Sequence, residues 1–475
     1  MTALATHPES TTPASHAPRV IVIGGGLAGM AAAVALESAG AQVTLLEARR
    51  RLGGRAGSFE DPQTGEELDN CQHVLLGCCT NLLDFYDRLG VRHLIRFDRT
   101  IRFRDDRGNP HDLRATPGLP APTHLSLSFA TFGALTLRER IAYSRAMLAM
   151  LRLGREGRSK LADVPFGQWL DEHRQPPSLV AKMYDAILVG ALNEETRKAS
   201  AEYAIQVFQD AMLAHANGYV MGVPDCPLAK LYEKLPCKDV RLATRVAELR
   251  FAGDNIVGVT LQGGEELNAD AVVLATNYHA VQRWIPEQLA ARDERFKSLD
   301  KLQSVPILGV HLWFDRPVMT DSHAALLTGP LQWLFRKDHE GRALHGVISA
   351  ARDWVGRSKD ECLQLFERQV RSVLPGAAGA KLERGVIIIE KRATFSPLPG
   401  VDRFRPSQSP PKGGIENLYL AGDYTRTGWP ATMEGAVRSG YLAAEAVMSA
   451  AGAATARRWL VPDLTPQWPA RVLGL

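Results

Sequence analysis

At 475 residues the chain exceeds one ordinary hydrophobic core and predicts roughly two to three domains. Apolar residues make up 45% and charged residues 23%, the balance of a soluble globular protein with a sizeable core. With 56 basic against 52 acidic residues the net charge is only +4, which argues against a nucleic-acid partner. Six unevenly spaced cysteines do not make a disulfide scaffold and point to reduced thiols in a cytosolic setting. The opening MTALATHPESTTPASHAP has no apolar h-region, so 1–17 reads as a flexible leader rather than a signal peptide. No run of about 18 uninterrupted apolar residues occurs, so no membrane-spanning helix is expected, and attachment to one face of a membrane stays open.

The first periodic segment runs RVIVIGGGLAGMAAAVALESAGAQVTLLE. Val20 to Ile23 read as a buried parallel strand, the small-residue stretch to about Ala39 as a helix ended by Gly40, and QVTLLE as a second strand ending at Glu47. Gly24, Gly26 and Gly29 form G-x-G-x-x-G across Leu27 and Ala28: Gly24 for the tight turn, Gly26 for close approach of backbone to a pyrophosphate, Gly29 for close helix–strand packing. A phosphate would sit at the helix N-terminus. Glu47 can accept hydrogen bonds from a ribose and would repel a 2′-phosphate. Between strand and helix, with its acidic partner, the motif predicts a dinucleotide site.

The continuation EARRRLGGRAGS resembles the flavin-containing amine oxidase and phytoene desaturase superfamily, which selects FAD over NAD. The resemblance implies that Arg49, Arg51, Gly53, Gly54 and Arg55 line the FAD pyrophosphate and ribityl chain, where guanidinium groups suit phosphate, with Glu47 and Ala48 in the same cofactor site. It also implies an α/β fold: a Rossmann-type FAD-binding domain assembled from 18–105, 215–290 and 395–450, interleaved with an α+β substrate domain of 106–214 and 291–394, and a tail of 451–475.

Further along, 106–214 reads as helical. Its segment 138–160 carries seven basic and two acidic residues among Leu, Met, Ile and Tyr, the composition of an amphipathic helix on anionic lipid or of an ordinary surface helix. Tyr184, Asp185, Asn193 and Glu194 are lesser polar candidates facing a substrate tunnel. KDVRLATRVAELRFAGDNIVGVTLQGGEELNADAVVLAT reads as strands with Gly-rich hairpin turns; by the resemblance Val246 offers backbone hydrogen bonds to adenine. Alternating runs in 291–394 place Trp313, Phe314, Trp333 and Phe335 on a sheet, as tunnel wall or as ordinary core. No second nucleotide fold is evident, so NAD(P)H, if it is the external reductant, approaches without a dedicated domain.

In ENLYLAGDYTRTGWPATMEGAVRSG a strand over Asn417–Ala421 is closed by Gly422 and Asp423, and a helix starts near Thr432, a suitable N-cap. The superfamily places this aspartate on the ribityl chain or phosphate. It aims the helix N-terminus near Met433 at the N1–C2=O edge of a non-covalent flavin, where reduced flavin carries negative charge.

The stretch CQHVLLGCC at 71–79 first suggests zinc. Adjacent Cys78 and Cys79 lack paired-knuckle spacing, and Cys226, Cys237 and Cys362 are isolated, so no metal is expected. A thiol redox relay and small side chains packed beside a ligand remain as readings. In full, DNCQHVLLGCCTNLLDFYDRLG and GDYTRTGWPATMEGAVRSG resemble the hydroxysqualene dehydroxylase family, over nearly the whole chain from Arg19 to about Met448. The resemblance implies FAD-dependent reduction of hydroxysqualene, a polyisoprenoid, to squalene in hopanoid synthesis, with a carotenoid-type desaturase as the alternative and a flavin amine oxidase third. It places Gln72 and His73 beside the isoalloxazine. His73, titrating near neutrality, is the first candidate acid for the leaving hydroxyl, with Gln72 as a second donor. Asp69 reads as an anchor. A lipid-borne substrate implies a cytoplasmic protein on the inner face of the membrane, held by 138–160 or by the tail RRWLVPDLTPQWPARVLGL. No sequence feature points to a particular oligomeric state.

Overall fold

The computed structural model describes residues 17–452 and 458–475; the expected leader lies outside the described residues apart from Ala17. A five-stranded parallel sheet is drawn from distant parts of the chain, in the order Asp239–Arg241, Gln42–Leu46, Arg19–Ile23, Ala271–Leu274, Leu418–Leu420. The three central strands are apolar and buried, as a sheet covered on both faces requires. The helices Leu27–Ser38 and Met433–Ala450 pack on each other beside it. Their approach depends on a glycine: a Cβ on Gly440 would overlap the Ala28 carbonyl. A three-stranded antiparallel sheet, Val246–Ala252, Asn255–Leu261 and Glu266–Asn268, occupies the expected hairpin region.

The second large unit is a seven-stranded sheet in the order Leu382–Phe395, Ser304–Phe314, Ala343–Ile348, Trp333–Arg336, His323–Leu326, Thr100–Arg104, Pro110–Arg114. The expected boundary at 105 is corrected here. Thr100–Arg104 pairs in parallel with His323–Leu326, Ala325 opposite Phe103, so the substrate unit takes up the chain from about residue 100. That region is also not wholly helical, since Pro110–Arg114 extends the same sheet. Strand alternation sorts the sheet's two faces. Leu308, Val310, Leu312, Phe314, Leu334, Leu344 and Ile348 face the helix Lys359–Val373 and form a closed core with Phe366 and Val370. Gly309, His311, Trp313, Trp333, Phe335, His345 and Val347 share the opposite face through the register His311–His345, Phe335–His345 and Trp333–Val347. Phe335, with Trp333 and Val347 beside it, packs there against Val74, Leu76, Met221 and Val223. Phe314 is therefore ordinary core, while Trp333 and Phe335 face the 71–76 segment.

The helix Leu137–Ser159 carries a capping box at Thr136 and Glu139 and breaks at Gly154, whose φ is 65°. The described part of the tail, 458–475, is docked rather than free. Its helix Trp468–Leu473 packs on Leu137–Ser159, Gln467 Oε1 accepts the Ala121 N–H at 2.6 Å, and Trp459 is buried.

Candidate functional site

Gly24, at φ 113°, makes the turn out of the first strand, and a Cβ there would come within 2.5 Å of the Ala275 carbonyl. A Cβ on Gly29 would overlap the Gly24 carbonyl, so this glycine holds helix against strand. Gly26 is different, because a Cβ on it would meet nothing within 4 Å. Protein packing leaves that position bare at the N-terminus of the helix begun by the buried Leu27 and Ala28, where free N–H groups favour an anion. The second glycine loop lies on the first: the Gly53 N–H donates to the Gly25 carbonyl at 2.8 Å, and Gly54 stands 3.1 Å, measured from a Cβ built on it, from Gly26 Cα. The buried Glu47 accepts the N–H groups of Gly25 at 2.6 Å and Arg49 at 2.8 Å, which ties strand end to loop. Backbone bonds from Thr244 to Glu47 and from Ala243 to Arg49 carry the chain toward Val246 beside that strand end.

The arginines separate. Arg55 makes a bidentate pair with the buried Asp423, at 2.5 and 3.0 Å, and donates to the Ala393 carbonyl at 2.7 Å. Burial works against the Arg55 cation, yet the Asp423 charge and hydrogen bonds raise its pKa above the ordinary value. Arg51 does not join this group; its guanidinium pairs with Glu67 and lies 3.8 Å from Glu60. Ala48 and the Arg49 side chain are exposed. Gly422, at φ 150°, donates its N–H to Ser439 Oγ at 2.8 Å. Thr432 caps the helix starting at Met433, accepting the Gly435 N–H at 3.0 Å. Beside these loops Thr276 Oγ1 and Tyr424 Oη are buried without a hydrogen-bond partner, and buried polar atoms are normally paired. A bare glycine at a helix N-terminus, a half-buried Arg55 paired with the buried Asp423, and two orphan hydroxyls fit a dinucleotide with a polyhydroxyl chain.

The 69–73 segment joins this cofactor layer to the substrate sheet. Asp69 is buried, and its Oδ1 accepts Ser58 Oγ–H and the Leu228 N–H, each at 2.8 Å. Its Oδ2 pairs with Lys337 Nζ at 3.1 Å, and the same ammonium lies 3.4 Å from Gln72 Oε1. The Gln72 amide nitrogen donates to the His73 carbonyl at 3.2 Å. His73 Nδ1 lies 3.0 Å from the Cys71 carbonyl and so carries the hydrogen. Burial lowers its pKa, leaving a neutral ring with Nε2 as an acceptor. The expected acid thus has to gain a proton before it can give one. His311 Nε2 donates to the Asp69 carbonyl at 3.0 Å, and burial draws its pKa down to about 4. His345, 4.0 Å from His311 between ring centroids, is fully buried with both nitrogens unpartnered, and its pKa falls well below the ordinary value for the same reason.

Lys337, His311 and His345 escaped the sequence reading. The signal was alternation: Trp333, Phe335 and Lys337 fall on one face by period two, and the histidines are cross-strand neighbours on it. The cysteines are dispersed, with Cys78 in one core cluster and Cys362 in another, on the helix Lys359–Val373. Burial pushes the Cys71 thiol to about 12, Cys78 is buried, and all six are free. Among the described residues no group of three or more His, Cys, Asp or Glu is arranged to hold a metal. The lesser candidates are cross-links. Tyr184 donates to Gln175, Asn193 bonds Val305, Thr394 and Ala350, and the buried Glu194 pairs with Arg352 and Ser396.

Residues 27–448 match the model of the flavin containing amine oxidoreductase family. The chain is 26% identical over 460 residues to a 15-cis-phytoene desaturase of Synechococcus elongatus, covering 91% of this chain and 96% of that one. It is 28% identical over 483 residues to a zeta-carotene desaturase of Synechocystis, covering 91% and 97%. It is 26% identical over 445 residues to a hydroxysqualene dehydroxylase of Zymomonas mobilis, covering 90% and 98%. Among solved structures, putrescine oxidase bound to putrescine superposes with a TM-score of 0.66 at 18% identity, covering 93% of this chain and all of that one. An oxidoreductase from Methanosarcina mazei gives 0.67 at 14%, covering 91% and all of that chain. The chain therefore has the amine oxidase fold and belongs to the flavin containing amine oxidoreductase family, as an FAD-dependent oxidoreductase.

Proposed function

We propose that the chain is a hydroxysqualene dehydroxylase, reducing hydroxysqualene to squalene. The observation that carries this reading is the polar set of Gln72, His73 and Lys337 beside a wall otherwise built of Val74, Leu76, Met221, Val223, Trp333 and Phe335. A hydrocarbon offers such groups nothing to bind, whereas a carbinol oxygen does. Reduced flavin supplies the hydride. The carbinol C–O bond breaks with its electron pair on oxygen, a C–H bond forms from the hydride, and one proton from solvent turns the departing oxygen into water. Water leaves far more readily than hydroxide, so a donor must meet that oxygen. The Gln72 amide can donate a hydrogen bond to that oxygen but not a proton, and His73 can pass on the solvent proton only after taking it up. NAD(P)H is the candidate external reductant.

A phytoene-type desaturase is the second reading, supported by the desaturase relatives at similar identity. An amine oxidase is the third reading: it calls for an aromatic cage at the flavin, and Trp429, the one tryptophan of the GDYTRTGWPATMEGAVRSG stretch, is buried with the Arg438 guanidinium 4.8 Å over its ring. Anaerobic mixing of the reduced, FAD-loaded protein with hydroxysqualene is expected to restore the oxidised flavin spectrum and yield squalene. Turnover of phytoene with an electron acceptor, and none of hydroxysqualene, would replace this reading by the desaturase.

Such a substrate partitions into lipid, which gives one surface a role. Leu127, Leu137, Ile141, Trp468 and Val472 are each more than half exposed and lie on neighbouring elements. The Phe129 and Tyr143 rings meet tilted at 5.1 Å between centroids, and the tail helix packs on Leu137–Ser159. Exposed Arg138, Arg145, Arg152 and Arg471 accompany them. No helix among the described residues is long and apolar enough to cross a membrane. An apolar and basic face suits peripheral docking on an anionic, inner-leaflet bilayer. Co-sedimentation with vesicles containing phosphatidylglycerol is expected to weaken about tenfold or more in the Trp468→Ser/Val472→Ser double variant; unchanged binding would reject this face.

A further inference from the structure

Lys337 stands where the two layers meet. Its backbone N–H closes the hairpin from Trp333–Arg336 to Ala343–Ile348 by donating to the Ala343 carbonyl at 2.8 Å. Alternation turns its side chain to the Trp333 and Phe335 face, and its ammonium reaches Asp69 and Gln72 on the opposite layer. Asp69 has its other oxygen filled by Ser58 and Leu228, so the carboxylate is a fixed post. Gln72 is fixed from both ends: its carbonyl accepts from an ammonium and its nitrogen donates to the His73 carbonyl. One amide hydrogen remains, and polarisation of the amide by a cation at its oxygen strengthens that donor. The imidazoles packed around, His73, His311 and His345, are held neutral, so Lys337 is the cation in contact with Gln72.

We propose that Lys337 is a positioning residue that orients and polarises the Gln72 amide, and so sets the neutral donor offered to the oxygen of the substrate. This rests on the dehydroxylase reading for the identity of that oxygen. A merely structural Lys337 would serve only to neutralise Asp69, and the two roles separate by mutation.

The experiment is a double-mutant cycle on FAD-loaded full-length protein, reading kcat, KM, flavin content and the flavin absorption band. Lys337→Met and Gln72→Leu are each expected to lower kcat at least tenfold with KM changed less than threefold. The double variant is expected to be no slower than either single, and Lys337→Arg to recover most of the rate. Asp69→Asn/Lys337→Met, which removes both charges and guards against a folding defect in the single variant, is expected to stay slow. Wild-type kcat in Lys337→Met, losses that multiply in the double variant, or recovered rate in Asp69→Asn/Lys337→Met would overturn the proposal. If wild-type protein does not turn over hydroxysqualene, the dehydroxylase reading fails by itself. The absorption band then decides, with equal shifts in Lys337→Met and Gln72→Leu supporting the positioning role and unequal ones rejecting it.

Discussion

Single positions in the glycine loops separate folding from ligand binding. Gly29 and Gly26 look alike in the motif, but a Cβ would strike the Gly24 carbonyl at the first and enter empty space at the second. Gly26→Ala is therefore expected to fold with an unchanged melting temperature while losing about tenfold or more in FAD affinity, read by flavin fluorescence titration. Gly29→Ala is expected to yield little folded protein, read by circular dichroism of the soluble fraction. Equal behaviour of the two would show that neither position senses the cofactor. This much was legible in the chain, because backbone approach leaves its mark as glycine. Lys337 and His345 were not legible, because their roles come from residues far away in sequence, Asp69 and Gln72 across the layers for Lys337 and His311 for His345. Arg51, which the motif directs to the cofactor, pairs in this structure with Glu67 of the acidic hairpin Ser58–Glu60 and Glu67–Asp69.

Between elements, one buried carboxylate joins the two most distinctive stretches of the sequence. Glu434, in the first turn of the Met433–Ala450 helix, accepts the N–H groups of Asn81 at 3.1 Å and Leu82 at 2.7 Å. It thereby caps the Thr80–Arg88 helix, whose own N-cap position, Cys79, supplies no side-chain bond. Glu434 also pairs with the buried Arg438 at 2.7 Å, and Arg438 reaches Asp463 of the tail. Removing the carboxylate leaves two helix N–H groups without their acceptor and the buried Arg438 guanidinium with Asp463 alone, so Glu434→Ala is expected to cost about 3 kcal/mol, seen as a lowered melting temperature. Glu434→Gln, which keeps hydrogen-bonding capacity, is expected to lose less; a Glu434→Ala protein melting like the wild type would refute the linkage. The elements themselves were well marked by periodicity and caps. Their partners were not, and the strand Thr100–Arg104 shows why: its pattern reads the same whether it joins the cofactor layer or, as it does, the sheet of His323–Leu326.

For the molecule as a whole, buried histidines set the response to acid. Burial draws His124, His311 and His323 each down to about 4. In the unfolded chain a histidine titrates near 6.5, so as pH falls from about 6.5 toward 4 the unfolded state takes up protons that the folded state refuses. Their stabilisation is complete above that range and is lost going down through it, at up to about 1.4 kcal/mol per pH unit for each group. The melting temperature is expected to fall steadily between pH 6.5 and 4.5, and His311→Gln is expected to flatten the slope; a flat profile across that interval would contradict the burial argument.

The proposed dehydroxylation assigns one reaction to the cofactor cradle, the polar set at Gln72 and the apolar sheet face, and its stoichiometry is the most direct measurement. Protein carrying reduced FAD, mixed anaerobically with excess hydroxysqualene and no other reductant, is expected to form one squalene for each flavin reoxidised. Flavin that stays reduced in the presence of hydroxysqualene, or reoxidises without forming squalene, would contradict the account.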